Sequence, residues 1–259
     1  MNKDIIRQFV TIVATIATIT VNVLASTLPL NGRNTGEISD QFDVYFTPAG
    51  YVFSIWGLIY LGLIAYTVFQ ALPSQRENDT LRRIAPLYWL SSVANIVWIF
   101  LWHYDYIAVS VVAMVVLLVS LILIYLQLDT GRKRVSSSVR WLVQVPFSIY
   151  LGWITVATIA NITPVLWLND WSGFGISPEA WTAIVLAVAV VIAAAVAITR
   201  ADVAYLLVLV WAFAGIAVKH PDVPLVTTSA IVAAVVVALL AVVSVWPRGP
   251  LPVNPVPET

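Results

Sequence analysis

Residues 150–161 read "YLGWITVATIAN". Coiled as an α-helix, this stretch sets Tyr150, Trp153, Ala157 and Asn161 at i, i+3, i+7 and i+11, all on one face. An indole and an amide inside an otherwise apolar run need partners for their N–H and C=O groups, so this face is built to meet something. The same signature recurs upstream. In "NIVWIFLW" (95–102), Asn95, Trp98 and Trp102 share a face, and in "YFTPAGYVFSIWGLIY" (45–60) so do Trp56 and Tyr60. Three segments therefore each carry an aromatic stripe, and two of the stripes include a buried amide.

Composition sets the solvent for these segments. Of the 259 residues 61% are hydrophobic and 10% charged, and mean hydropathy is +0.93. Too few polar residues remain to coat a soluble globule, which places the chain in the membrane class, with the lipid bilayer as its first partner. The formal net charge is zero, which disfavours nucleic acid. There are no cysteines, so disulfides and thiolate chemistry are excluded.

A helix needs about 20 mostly apolar residues to cross hydrocarbon. Such segments lie at about 6–28, 49–72, 86–103, 106–128, 141–162, 180–199, 203–219 and 225–246, with the third and seventh the shortest. Pro86, Pro178 and Pro224 stand just before predicted helices, where a missing N–H costs nothing. The first segment is too long for a signal-peptide core and "LASTLPLNG" is a poor cleavage site, so it is read as a retained helix. With eight spans, 11 of the 13 Lys and Arg residues fall on the side that holds both termini, leaving Arg33 and Lys219 opposite. Basic residues concentrate on the cytoplasmic side, so both termini are expected there. The Pro-rich end, 247–259, reads as an unstructured tail.

No Asp, Glu, Lys or Arg falls deep in a predicted span, which argues against ion-coupled pumps and voltage sensors. His103 and His220 fall in outer loops and are expected to be solvated, not metal ligands. There is no Walker loop, HExxH or GxSxG, and no metal or cofactor is expected. Lys219 lies too near a span end to suggest a retinal Schiff base. Asn22, Asn95, Gln144 and Asn161 are the polar residues inside spans, where interhelical hydrogen bonds average about 0.6 kcal/mol. Trp89, Trp141, Trp167, Trp171, Trp181 and Trp246 sit near span ends, as in an interfacial belt, whereas Trp56, Trp98 and Trp153 lie deeper.

At these residues the sequence resembles the TspO/MBR group, the tryptophan-rich sensory proteins related to the mitochondrial translocator protein (peripheral benzodiazepine receptor). The family's second helix opens on a pattern like PPxxxFxxxWxxLY, matched here by Pro48, Trp56 and Tyr60. Its third carries NxxW and a Phe pair, matched by Asn95 and Trp98, with Trp102 and His103 in place of the Phe pair. Its fifth carries PYLxWxxFAxxxN, matched by Tyr150, Leu151, Trp153, Ala157 and Asn161. Departures are Thr47 in place of the first proline, Phe53 one residue late and so turned about 100° on a helix, and Pro146 four residues before Tyr150. The resemblance covers about residues 6–170.

What the resemblance implies is an all-α, polytopic membrane bundle with a five-helix TspO-like core (1–172) and three additional C-terminal helices (173–246) that have no counterpart in that core. It further implies a pocket under the loop between the first two helices that takes a porphyrin, a sterol or another flat apolar molecule. The expected ligand-binding residues are Trp56, Tyr60, Asn95, Trp98, Tyr150, Trp153, Ala157 and Asn161, with Arg33 a candidate for meeting a propionate. The first expectation is a receptor or carrier, not an enzyme, in a bacterial inner membrane, with a homodimer as a further expected assembly. Two alternatives stand beside it: a light-dependent porphyrin-degrading enzyme with Trp56 and Trp153 as redox-active indoles, and a structural subunit of a membrane complex.

Overall fold

The computed structural model describes residues 3–28 and 30–246, so the expected Pro-rich tail lies outside the described residues. Eight long helices run through them: α1 (Lys3–Thr27), α2 (Ile55–Ala71), α3 (Asp79–His103), α4 (Ile107–Gln127), α5 (Val145–Leu168), α6 (Pro178–Arg200), α7 (Val203–Lys219) and α8 (Pro224–Val245). There is no strand among the described residues. Seven of the eight, taken with their entry turns, are long and apolar enough to cross a membrane. The exception is α7, at 17 residues about 25 Å long. Large apolar side chains point outward along the helices, among them Leu61, Val112, Val191, Ile198 and Val242. The chain is an integral, multi-pass membrane protein.

The first five helices close a ring in the order α1, α2, α5, α4, α3 and back to α1. Polar groups pin α1 into it. Gln8 Nε2 donates to the Gln70 and Leu72 carbonyls at 2.8 and 3.1 Å, Thr15 shares hydrogen bonds with Thr67 and Tyr88 at 2.7 and 2.6 Å, and Trp89 Nε1 donates to Thr11 at 2.9 Å. In lipid, apolar contact alone favours no particular neighbour, so hydrogen bonds and close packing select it. Close packing also sets α2 on α5, where a Cβ on Gly62 would lie 3.0 Å from Pro146.

Beyond the ring, α7 packs on α5, and α8 lies against both α6 and α7. The connections flanking α7 have two and four residues, which makes it antiparallel to both neighbours. One end of α7 reaches the segment before α2, where the Ala49 amide donates to the Gly215 carbonyl at 3.0 Å and Trp211 Nε1 to the Val52 carbonyl at 3.1 Å. At its other end, the turn after α4 docks on the α6–α7 junction. Arg200, buried to 8% exposure, donates to Asp129 at 3.1 Å and to the Thr130 carbonyl at 3.3 Å, and lies over the Tyr125 ring.

Pro178 and Pro224 open their helices as expected, but Pro86 does not. The third helix starts at Asp79 because Asn78 caps the amides of Thr80 and Leu81, and Pro86 falls within its second turn. The sequence hides this start behind the charges of residues 79–83, which hydropathy alone rejects. Arg82 is satisfied there by Asp4 at 2.7 Å and Asp79 at 3.0 Å. At the start of the fifth span, a π-turn over Arg140–Gln144 precedes Pro146. A widened turn relieves the clash of a proline ring with the carbonyl four residues back.

Candidate aromatic site under a loop

The three aromatic stripes converge inside the five-helix ring. Trp56 is at the centre, with ring centroids 5.8 Å from Tyr60, 6.4 Å from Trp98, 6.0 Å from Tyr150 and 6.3 Å from Trp153. Trp98 stacks in turn on Trp102 at 6.0 Å. Above this cluster is a chamber of about 30 Å³, lined by Trp56, Trp98, Trp153, Ala157 and Asn161 of the expected residues. Tyr60 and Tyr150 lie against Trp56, and neither they nor Asn95 reach the chamber wall.

The other lining residues were not among the expected ligand-binding residues: Thr35, Ser39, Val156 and Ala160, together with Pro48, Trp102 and Phe53, which the sequence reading had noted only as part of its motifs and stripes. Phe53 is instructive. Its offset of one residue turns it away only if residues 50–54 are α-helical, but they form a 3-10 helix, with 3.0 residues per turn. Phe53 therefore still reaches the chamber, edge-on to Trp153 at 5.7 Å.

Amides hold the stripes in register. Asn161 Oδ1 accepts from Trp98 Nε1 at 3.0 Å while its Nδ2 donates to Ser110 Oγ at 2.9 Å, which ties α3, α4 and α5 together. Asn22 Nδ2 donates to Asn95 Oδ1 at 2.6 Å and so ties α1 to α3. Among the buried polar atoms beside the cluster, Trp153 Nε1 has no hydrogen-bond partner among the described residues, and Asn95 Nδ2 and Tyr150 Oη have none beyond each other. Such groups are rare in folded proteins because each costs about 1–3 kcal/mol.

The segment from Leu30 to Ala49 covers the chamber. A short helix, Thr35–Ser39, is opened by a capping box between Asn34 and Glu37. Trp102 Nε1 donates to the Thr35 carbonyl at 3.3 Å, Phe42 rests on Trp102 and Trp167, and Lys219 pairs with Asp40. Arg33 bridges Asp105 at 2.6 Å and Gln41 at 2.8 Å, a strut between the lid and the α3–α4 turn. It is engaged within the protein instead of standing ready for an anion.

His103 corrects the expectation of a solvated loop residue. It is the last residue of α3, fully buried, with Nδ1 on the Ile99 carbonyl at 2.8 Å, because the lid closes over it and Asn31 donates to its carbonyl at 3.0 Å. His220 is half-buried, its ring edge-on to Tyr45 at 5.4 Å. Burial, with Lys219 next, pushes its pKa below the ordinary value, against smaller opposing effects from Thr47, Asp43 and Tyr45. A depressed histidine pKa contributes stability that is present above its unfolded value of about 6.5 and lost as pH falls through the folded one. Amide exchange in residues 40–48, corrected for intrinsic rates, is therefore expected to rise between pH 7 and pH 5, and His220→Phe to flatten that dependence. Equal pH dependence in the variant would show that another group controls the lid.

No group of three or more His, Cys, Asp or Glu residues capable of holding a metal ion occurs among the described residues. No curated protein and no solved structure matches the chain. A family model does: the one described as TSPO-like protein matches residues 8–243, taking in the motif-bearing helices and the last three alike. A five-helix ring with an aromatic chamber beneath a lid, three matched motif segments within it, and a family match from α1 to α8 give one conclusion: this chain belongs to the TSPO-like protein family.

Proposed function

We propose that the protein is a receptor or carrier for a planar hydrophobic ligand, a tetrapyrrole first, bound in the aromatic chamber. The observation that carries this reading is the unpartnered Trp153 Nε1 donor, buried beside indole faces, with the Asn95 and Tyr150 donors next to it bonded to nothing beyond each other. A conjugated ring stacks on the indoles, and its polar atoms take up the donors. Sites for such ligands span about 300–1,000 Å³, whereas the chamber holds about 30 Å³. Binding therefore requires the lid to lift and the rings around Trp56 to part. In this reading residues 1–172 hold the ligand, residues 173–246 back them through α7, and both termini face the cytoplasm of a bacterial inner membrane.

The test is a titration of the purified full-length protein with haematoporphyrin, followed by porphyrin absorbance, on wild type and Trp153→Phe. Trp153 Nε1 has no partner to lose, so the variant should fold with nearly unchanged melting temperature, since removing an unsatisfied donor offsets the lost ring area. Porphyrin affinity should fall about tenfold, equivalent to about 1.4 kcal/mol. Unchanged affinity, or no saturable binding to wild type, overturns the reading and leaves the aromatics as packing for a membrane subunit. The stacked run Trp56, Trp98 and Trp102 favours a second reading, light-dependent porphyrin breakdown, because contiguous indoles offer a path for an electron. Product formed only under illumination would select it.

A further inference from the structure

A second cavity lies outside the ring and takes no part in the aromatic site. It is a cleft of about 1200 Å³ between α2 and α7, with the start of α5 as its floor. The two walls are pinned together at the lid side, by the Ala49–Gly215 and Trp211–Val52 hydrogen bonds, and diverge toward the end of the bundle that carries both described chain ends. The result is a wedge with its apex beside Trp211. Leu58 and Leu207 face it from the two walls, and Val145, Ile149 and Val208 form much of the interior. At its mouth stand Lys133, Arg134 and Arg140, exposed and with no side-chain ion pair or hydrogen bond among the described residues. The other charges there are spoken for: Arg200 is held by Asp129, and Asp202 accepts from Ser148 and from the Tyr205 amide.

Three free cations at the mouth of a cleft with apolar walls match one ligand architecture, a small anionic head on a hydrocarbon tail. A zwitterionic head would set its own cation among the three, and a free anion would leave the apolar walls unused. The basic turn is also not loosely hung. Gly131 has φ +76°, and a Cβ there would lie 1.7 Å from the Arg200 carbonyl oxygen, so the turn is docked directly on the α6–α7 junction beside the cleft. We infer that this cleft binds one anionic phospholipid from the surrounding leaflet, with its phosphate against Lys133, Arg134 and Arg140 and one acyl chain between Leu58 and Leu207. A lipid bound there ties α2 to α7 and stabilises the folded bundle.

The experiment uses full-length protein purified in non-ionic detergent, with native mass spectrometry and thermal unfolding after addition of phosphatidylglycerol, phosphatidylcholine or inorganic phosphate. Expected are one retained phosphatidylglycerol per chain, a raised melting temperature, and at least tenfold weaker retention of phosphatidylcholine. Lys133→Gln, Arg134→Gln and Arg140→Gln combined should bring phosphatidylglycerol down to the phosphatidylcholine level. Ala204→Trp, which fills the cleft, should abolish retention of both lipids while haematoporphyrin affinity stays at the wild-type value. Because the three cations are exposed, the charge variant folds even where the tryptophan variant does not. Equal retention of the two lipids overturns the inference, as does undiminished binding in the charge variant or the same thermal shift from inorganic phosphate. Displacement of haematoporphyrin by phosphatidylglycerol would show that the porphyrin occupies the cleft, and would overturn it too. The cysteine-free chain permits one more control: efficient cross-linking of Ala204→Cys to Val256→Cys would assign the cleft to the C-terminal segment instead.

Discussion

Trp56→Ala is expected to destabilise the purified protein by about 3–5 kcal/mol, the usual range for truncating a packed tryptophan. Four aromatic rings, those of Tyr60, Trp98, Tyr150 and Trp153, lie within 6.4 Å of the Trp56 ring. Each such pair contributes about 0.5–1.5 kcal/mol beyond area burial. Trp56 is partly buried and packs with α3 and α5, so its truncation forfeits those ring contacts. Trp141→Ala is the comparison, because that ring is 66% exposed and should shift stability by no more than about 0.5 kcal/mol. Added indole should restore part of the loss in Trp56→Ala and none in Trp141→Ala, since a dry apolar cavity binds an aromatic molecule of its own size. Thermal unfolding in detergent with and without indole reads all three. A Trp56→Ala protein that melts with wild type would mean that the cluster is loosely assembled and that the chamber is not a defined site.

Gly131→Ala is expected to be damaging as well, by more than a left-handed backbone alone would cost, for a different reason. Two glycines separate its causes. Gly32 has φ +78° with nothing within 4 Å of a built Cβ, so Gly32→Ala isolates the left-handed backbone penalty, about 1–2 kcal/mol. Gly131, at φ +76°, carries that penalty and in addition the collision with the Arg200 carbonyl. The turn can escape only by lifting off the α6–α7 junction, which removes Asp129 and Thr130 from the buried Arg200. Arg200 is then left buried without these partners, a loss smaller than for a fully buried pair because the Asp129 side chain is 48% exposed. Melting temperatures of the two alanine variants should differ clearly, with Gly131→Ala the lower. Equal losses would show that the turn is not docked, and would also weaken the lipid cleft, whose cationic mouth it positions.

Much of the fold was legible because hydrocarbon imposes a simple rule: a backbone without water must satisfy itself as helix, and its apolar runs mark where. The positions of α1, α2, α4, α6, α7 and α8 follow from those runs. The start of α3 did not, since Asn78 caps a charged first turn that belongs to the helix but lies outside the apolar run. Within the site, i, i+3, i+7 spacing was enough to set Trp98 and Trp102 on one face and Trp153 and Ala157 on another. Helical phase is a local property. Phe53 shows where that reasoning stops, because the choice of a 3-10 turn over an α-turn at residues 50–54 changed the direction of a ring that the pattern had turned away.

By itself, then, the sequence determined the solvent, the number of long helices and the face on which each aromatic stripe lies, all properties of single segments read against water and lipid. The tertiary structure alone decided how those faces meet. It brought Trp56 against four rings, gave Asn161 both Trp98 and Ser110, and left the Trp153 donor without a partner among the described residues. It buried His103 beneath the lid, engaged Arg33 with Asp105, and opened a wedge between α2 and α7 under three free cations. The reason is physical: hydropathy and period act along one helix, whereas hydrogen-bond partners and cavities arise between residues far apart in the chain, 51 positions for Asn161 and Ser110 and 179 for Lys219 and Asp40, whose distance only the packed bundle sets.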